Sequence, residues 1–344
     1  MKTSHLFALA LLGLGLAGAG CGNPGNVIPH NTKSMPTAPV DLKLNWPLHR
    51  HGIQSFDMKI TQEMTIPSMP QPMTQVMTMG QDTSLTVTKE LPGGGREVEM
   101  EYLRTKMGMA MAGKTMMDYD SAKKSPKDGD ATATAFANMV GAKIQFILDA
   151  GNKVESVQGV EDLQNRMASL TKSDPSGTMK SMFNSDALKQ MMDQASNLPG
   201  KAVKPGDTWP VHHEYPMGAL GPMVSDVTFT LNSWELRHGR WCARIAMDGT
   251  LSTRPGDDAA PADSPMKGMK ITVSDGTASG ETWFDEDMGM FTDTTLNLDM
   301  KLAITIPMPN MAKGKKAGNK AAAPTSQTIN SDMHQVIKTQ FELK

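Results

Sequence analysis

Cysteine and aromatic residues are scarce in this chain, and each shortage limits what it can be. Two cysteines, Cys21 and Cys242, cannot build a disulfide framework. Three tyrosines and nine phenylalanines leave the interior to other apolar side chains. Neither sign of charge dominates, since 34 Lys and Arg face 36 Asp and Glu for a net charge of -2, so there is no basic footprint for nucleic acid. The short basic run Lys313-Gly314-Lys315-Lys316 lies among Ala, Gly and Asn and reads as a solvated loop. Catalytic motifs are missing too, with no G-x-S-x-G, no H-E-x-x-H and no Gly-rich loop feeding a helix. Asp285-Glu286-Asp287 and Asp257-Asp258 fall at turns, where solvation is expected rather than a pair of catalytic carboxylates. The expectation is a protein that is not an enzyme and carries no cofactor.

A single long apolar run is present, and it stands at the start. Lys2 precedes Leu6 to Leu16, and the small residues Ala17-Gly18-Ala19-Gly20 lead into Cys21. The run is too short for a permanent span and reads as an export signal over residues 1–20. It resembles a lipoprotein signal, in which Cys21 is acylated and becomes the new N-terminus. Gly18 departs from the Leu such signals prefer, and Ala17-Gly18-Ala19 also fits cleavage before Gly20, which would release a soluble form. Acyl chains on Cys21 would hold the protein at a bilayer by ~0.8 kcal/mol per buried methylene. Gly22 after the cysteine points to the outer membrane, on the periplasmic side. Residues 21–41 are rich in Asn, Pro, Ser and Thr and read as a flexible tether with a span of roughly 25 Å. If Cys21 is lipidated, Cys242 has no partner and is expected as a buried thiol; a Cys21–Cys242 disulfide requires an unlipidated Cys21.

What the chain has in excess is methionine, 31 in all. Many lie on alternating positions. Phe56, Met58, Ile60, Met64 and Ile66 alternate with polar residues and are broken on the apolar side only by Gln62. Val98, Met100 and Tyr102 repeat the rhythm, then Met107, Met109 and Met111. Later strands are expected around Val227 to Leu231, Trp241 to Leu251, Ile271 to Phe284, Leu296 to Ile306 and Ile329 to Leu343. Helices are expected in the middle, at 131–140, 160–170 and 185–196, the last capped by Asn184 or Ser185. Together these give an α+β expectation, a curved sheet or incomplete barrel over a few central helices, as one domain over 42–344. Loop insertions are expected near 254–265 and 311–325.

One segment resembles a known family. Leu198-Pro199-Gly200-Lys201-Ala202-Val203-Lys204-Pro205-Gly206-Asp207-Thr208-Trp209 is similar to the LP-x-K-x-V-x-x-G-D-x-W stretch of an uncharacterised family of bacterial envelope lipoproteins. Tyr119-Asp120-Ser121, the Phe183 to Met192 helix, and Trp283-Phe284-Asp285 with Gly289 agree in order, so the resemblance spans about 42–344. It brings no catalytic residues. Within it, Gly206-Asp207 reads as a tight turn and Trp209 as the anchor of the strand that follows. The pattern is also similar, at the level of fold only, to lipoprotein-carrier half-barrels.

Methionine is flexible and polarizable, and it adapts to irregular apolar partners. Its excess on inward strand faces points to an interior that holds an apolar small molecule or lipid, with Met58, Met64, Met100, Met109 and Met300 as the candidate lining. A structural lipoprotein with a filled core, working through protein contacts, is the alternative. Periplasmic copper binding through Met-x-Met pairs is a weaker one, because i,i+2 residues of a strand share a buried face. The histidines His49, His51, His212 and His213 lack a nearby ligand set and are expected to be solvated. The Met-Pro tips at 69–73 and 307–311 place apolar side chains at hairpin ends.

Overall fold

The computed structural model describes residues 34–67, 69–123, 125–127, 130–168, 183–216, 222–254, 270–307 and 326–344. After the short strand β1 (Val40–Asp41), the chain forms β2 (His51–Thr65), β3 (Met73–Glu90), β4 (Arg96–Met111) and β5 (Lys114–Asp120). Helix α1 (Ala131–Met139), strands β6 (Lys143–Leu148) and β7 (Val154–Gln158), and helices α2 (Val160–Arg166) and α3 (Ser185–Met192) fill the middle. A 3-10 turn at Gln194–Asn197 precedes β8 (Ala202–Val203), β9 (Thr208–Pro216), β10 (Pro222–Arg237), β11 (Arg240–Thr253), β12 (Lys270–Asp285), β13 (Met290–Pro307) and β14 (Ser326–Leu343).

Twelve of these strands make one antiparallel sheet in the order β7-β6-β4-β3-β2-β14-β13-β12-β11-β10-β9, with β5 paired to β4 beside β6. Consecutive strands are neighbours almost throughout. The first and last long strands, β2 and β14, join the two halves of the meander. Alternation drives this arrangement, since one face of each long strand is apolar and its neighbours must cover it. On β14 the odd positions from Ile329 to Phe341 are buried and the even ones mostly exposed.

The α+β expectation is overturned. The protein is nearly all sheet, and three short helices are its helical part among the described residues. They begin where the apolar spacing puts them, and Asn184 caps α3 by accepting from Ala187 N at 2.8 Å. Helices of seven to nine residues bury only a few side chains each, too few to form a layer over such a sheet. The sheet instead brings its two edges toward each other, since α3 bonds to Glu155 of β7 on one side and to Glu214 of β9 on the other. None of the described helices is long and apolar enough to cross a membrane.

One end of the curl is sealed by the segment before β2. Leu42, Leu44 and Trp46 are buried while Lys43 and Asn45 face out. The backbone of this strap is held from three sides. Asn45 N donates to Gly289 O at 2.9 Å, Asn152 Nδ2 to Leu44 O at 3.0 Å and Arg96 Nε to Trp46 O at 3.0 Å. Gly289 has φ +62°, and a Cβ there would stand 2.5 Å from Asn45 Cβ, so the close approach requires glycine.

The turn between β12 and β13 beneath the strap carries the main buried charge. Asp285 is fully buried, pairs with Arg240 and accepts from Met288 N at 2.9 Å. This corrects the solvated reading of Asp285. A charge-rich tripeptide looks like surface until the folded chain brings an arginine against it. Cys242 is buried and unpaired, and burial pushes its thiol up to about 12. The insertion at 311–325, the signal with Cys21, and Met308 and Met311 of the second tip lie outside the described residues. So does nearly all of the insertion at 254–265; of the first tip, Met69 is exposed.

Candidate functional site

Register assembles the methionines into one inward wall. Met58 sits opposite Met79, and Met64 opposite Met73, across β2 and β3. Met77 and Met79 face Met109 and Met107 of β4, and Met109 faces Met117 of β5. On the other side of β2, Met333 of β14 pairs with Met300 of β13. Six adjacent strands from β13 to β5 therefore present thioethers to the interior. All five candidate residues lie on this wall.

The wall has a dry part and a partly open part. Met58, Met64, Met100 and Met300 are only 6%, 4%, 3% and 3% exposed, which makes them core. Met109 is half-buried, and so are Met73, Met79, Met107, Met111 and Met117 around it. These six cluster where β3, β4 and β5 meet. Polar side chains interrupt the wall. Gln62, Gln75, Ser331 and Gln335 are buried on the same face. Two sulfurs accept from amides, Met58 Sδ from Gln335 Nε2 at 2.8 Å and Met109 Sδ from Gln75 Nε2 at 3.7 Å. Among the described residues no group of three or more His, Cys, Asp or Glu side chains is placed to hold a metal ion.

Across the interior lies a second feature that sequence reasoning did not single out. The sheet ends at β7 on one side and β9 on the other, and α3 with the 3-10 turn lies between them. Lys189 Nζ donates to Glu155 O of β7 at 3.0 Å. Toward β9, Gln190 Nε2 donates to Glu214 O at 2.8 Å and Trp209 Nε1 to Asn197 O at 2.9 Å. His213 Nε2 and Asn197 Oδ1 are 2.9 Å apart. Trp209 stacks on Phe229 at 5.8 Å between ring centroids, and the turn before it closes through Lys204 N to Asp207 Oδ2 at 2.9 Å with Gly206 at φ +94°.

A cavity of about 20 Å³, room for about one water, opens at this seam. Asp193, Asn197, His213 and Ser225 give it a polar side; Val211, Phe229, Met247 and Leu296 give it an apolar one. Ser225 Oγ is buried and makes no hydrogen bond. Burial lowers the His213 pKa against the opposing pull of Asp193, and burial raises that of Asp193. His212, one residue earlier, is exposed, and bonds to Asp226 and Glu214 raise its pKa. Sequence reasoning treated both histidines as solvated, and for His213 this is corrected. The signal was there, because Trp209, Val211, His213 and Tyr215 share the inward period-two face that His212 does not.

Residues 94–291, more than half of the chain, match the model of the family of unknown function DUF6263, and the chain belongs to that family. No curated protein matches it. Solved structures with some likeness include one titled for lipid–protein interactions in lipovitellin, at 9% identity and a TM-score of 0.43. That likeness covers 87% of this chain and 25% of the other, so the chain spans about a quarter of that protein. OccK5 (OpdH) of Pseudomonas aeruginosa shares 7% identity at a TM-score of 0.20, covering 87% of this chain and 100% of that one. DynF from the dynemicin biosynthesis pathway of Micromonospora chersina shares 10% at 0.17, covering 93% and 94%. Scores this low carry nothing about function.

Proposed function

We propose that this member of the family is a non-enzymatic protein of the cell envelope, anchored through a lipid on Cys21 at the periplasmic side of the outer membrane and holding the acyl part of a lipid against its methionine wall. The observation that carries the reading is the half-buried cluster of Met73, Met79, Met107, Met109, Met111 and Met117, continuous with the dry core. Side chains meant only to fill a core are better served by Leu, Ile or Val, whose rotamers are fixed. Thioethers left half-covered suit a chain-like apolar ligand that takes several poses. The signal and tether of residues 1–41 support the anchor and the compartment.

A scaffold with a filled core, acting through protein contacts, is the second reading. It is favoured by the closeness of the interior at Met58, Met64, Met100 and Met300 and by the small size of the seam cavity. Native mass spectrometry of a soluble form beginning near Asn31, made in a bacterial periplasm, separates the two. The lipid reading expects a stoichiometric apolar mass that organic extraction removes and envelope lipids restore. A clean apo mass that persists after incubation with those lipids would leave the scaffold.

A further inference from the structure

We infer that the seam between β9 and α3 is the doorway by which the acyl chain reaches the interior, with α3 and its 3-10 turn as the door. The inference rests on the lipid reading above and names its route. Every other junction between long strands is a backbone ladder. Toward β9 the junction is instead made by three side-chain hydrogen bonds, from Gln190, Trp209 and His213. Each such bond contributes modestly, and a ladder zips many of them together, so opening costs less here than along a paired strand. Helix α3 has eight residues and buries only Leu188 and Met192, so it owes its place to contacts rather than to its own stability.

What lies behind the seam fits a doorway. The cavity lies between Asn197 and His213 at the seam and Met247 and Leu296 of the sheet. Leu296, Leu298 and Met300 share the inward face of β13, so the seam faces the strand that carries one end of the methionine wall. Ser225 Oγ lines the cavity, buried and without a hydrogen-bond partner.

The test joins the two edges. Cysteines replace Gln190 and Glu214 (Q190C with E214C) and a short bis-maleimide links them, each single variant treated alike as control. Uptake of pyrene-labelled hexadecanoic acid is followed by fluorescence. The unlinked double variant, which has lost the Gln190 bond, takes up the probe at least as fast as the parent. The linked form is slowed at least about tenfold, as expected when a sparsely populated open state is removed, and protein loaded before linking keeps its probe. Asn197→Ala, which frees His213 from the turn, speeds uptake. Equal rates in linked and unlinked protein overturn the doorway while leaving the lipid reading in place. No uptake in any form, with folding intact, overturns the lipid reading and the doorway with it.

Discussion

At Asp285 a carboxylate is held in the interior by one arginine and one backbone N–H. Its side chain is 1% exposed and that of Arg240 12%, so neither charge is compensated by water. Breaking such a pair leaves the other ion buried alone, which costs about 3–5 kcal/mol. Asp285→Asn keeps an acceptor for Met288 N and removes only the charge. Its unfolding free energy in urea is therefore expected to fall by ~3 kcal/mol or more, and an unchanged midpoint would mean the pair contributes nothing. This site was not legible in the sequence, because Arg240 is 45 positions away and nothing local marks Asp285 as different from its acidic neighbours. Trp209 was legible. The Gly206-Asp207 turn and the alternation after it fix which way that indole points, and the structure adds only its partners, Phe229 and Asn197.

Among the elements, the long strands were readable because each keeps a period of two over most of its length against a buried face, despite bulges such as those at Leu231/Ser233 and Ser274/Thr277. Strands β5, β6 and β7 were missed, being five to seven residues long and too short for a period to show. The helices were read in position but not in role, since spacing tells which face of a helix is apolar and not whether helices are numerous enough to form a layer. The α3 seam is where the element scale makes a pH prediction. Burial lowers the His213 pKa below 6.5, so the unfolded chain binds the extra proton first, and stability falls as pH drops from 6.5 toward the folded value. Asp193, raised above 3.8, acts in the opposite sense at more acid pH, where its protonation in the folded state restores stability. His212 also opposes His213, but it is exposed and its carboxylate partners are screened. His213→Gln retains a donor for Asn197 Oδ1 and cannot titrate. Its melting temperature is expected to fall less than that of the parent between neutral pH and the region just below 6.5; parallel curves would mean the seam does not sense protons.

For the molecule as a whole, the division of the methionine wall decides between a packed core and a binding surface. Curling and the position of the break depend on which strands end up at the two edges, information spread over the entire chain, so the wall was readable strand by strand but its dry and open parts were not. Replacing Met58, Met64, Met100 and Met300 by Leu alters buried packing only, and each such swap is expected to change stability by less than about 1.5 kcal/mol. The same replacement at Met107, Met109, Met111 and Met117 touches the half-buried cluster. There the branched side chain cannot follow a ligand through several poses, and the occupancy of co-purified lipid in native mass spectra is expected to fall by roughly tenfold, equivalent to ~1.4 kcal/mol spread over four contacts. Stability of this second variant should hold or rise, because Leu has the better-defined rotamers. A protein whose methionines only fill space would show the reverse weighting, with stability tracking both sets of substitutions and bound mass tracking neither.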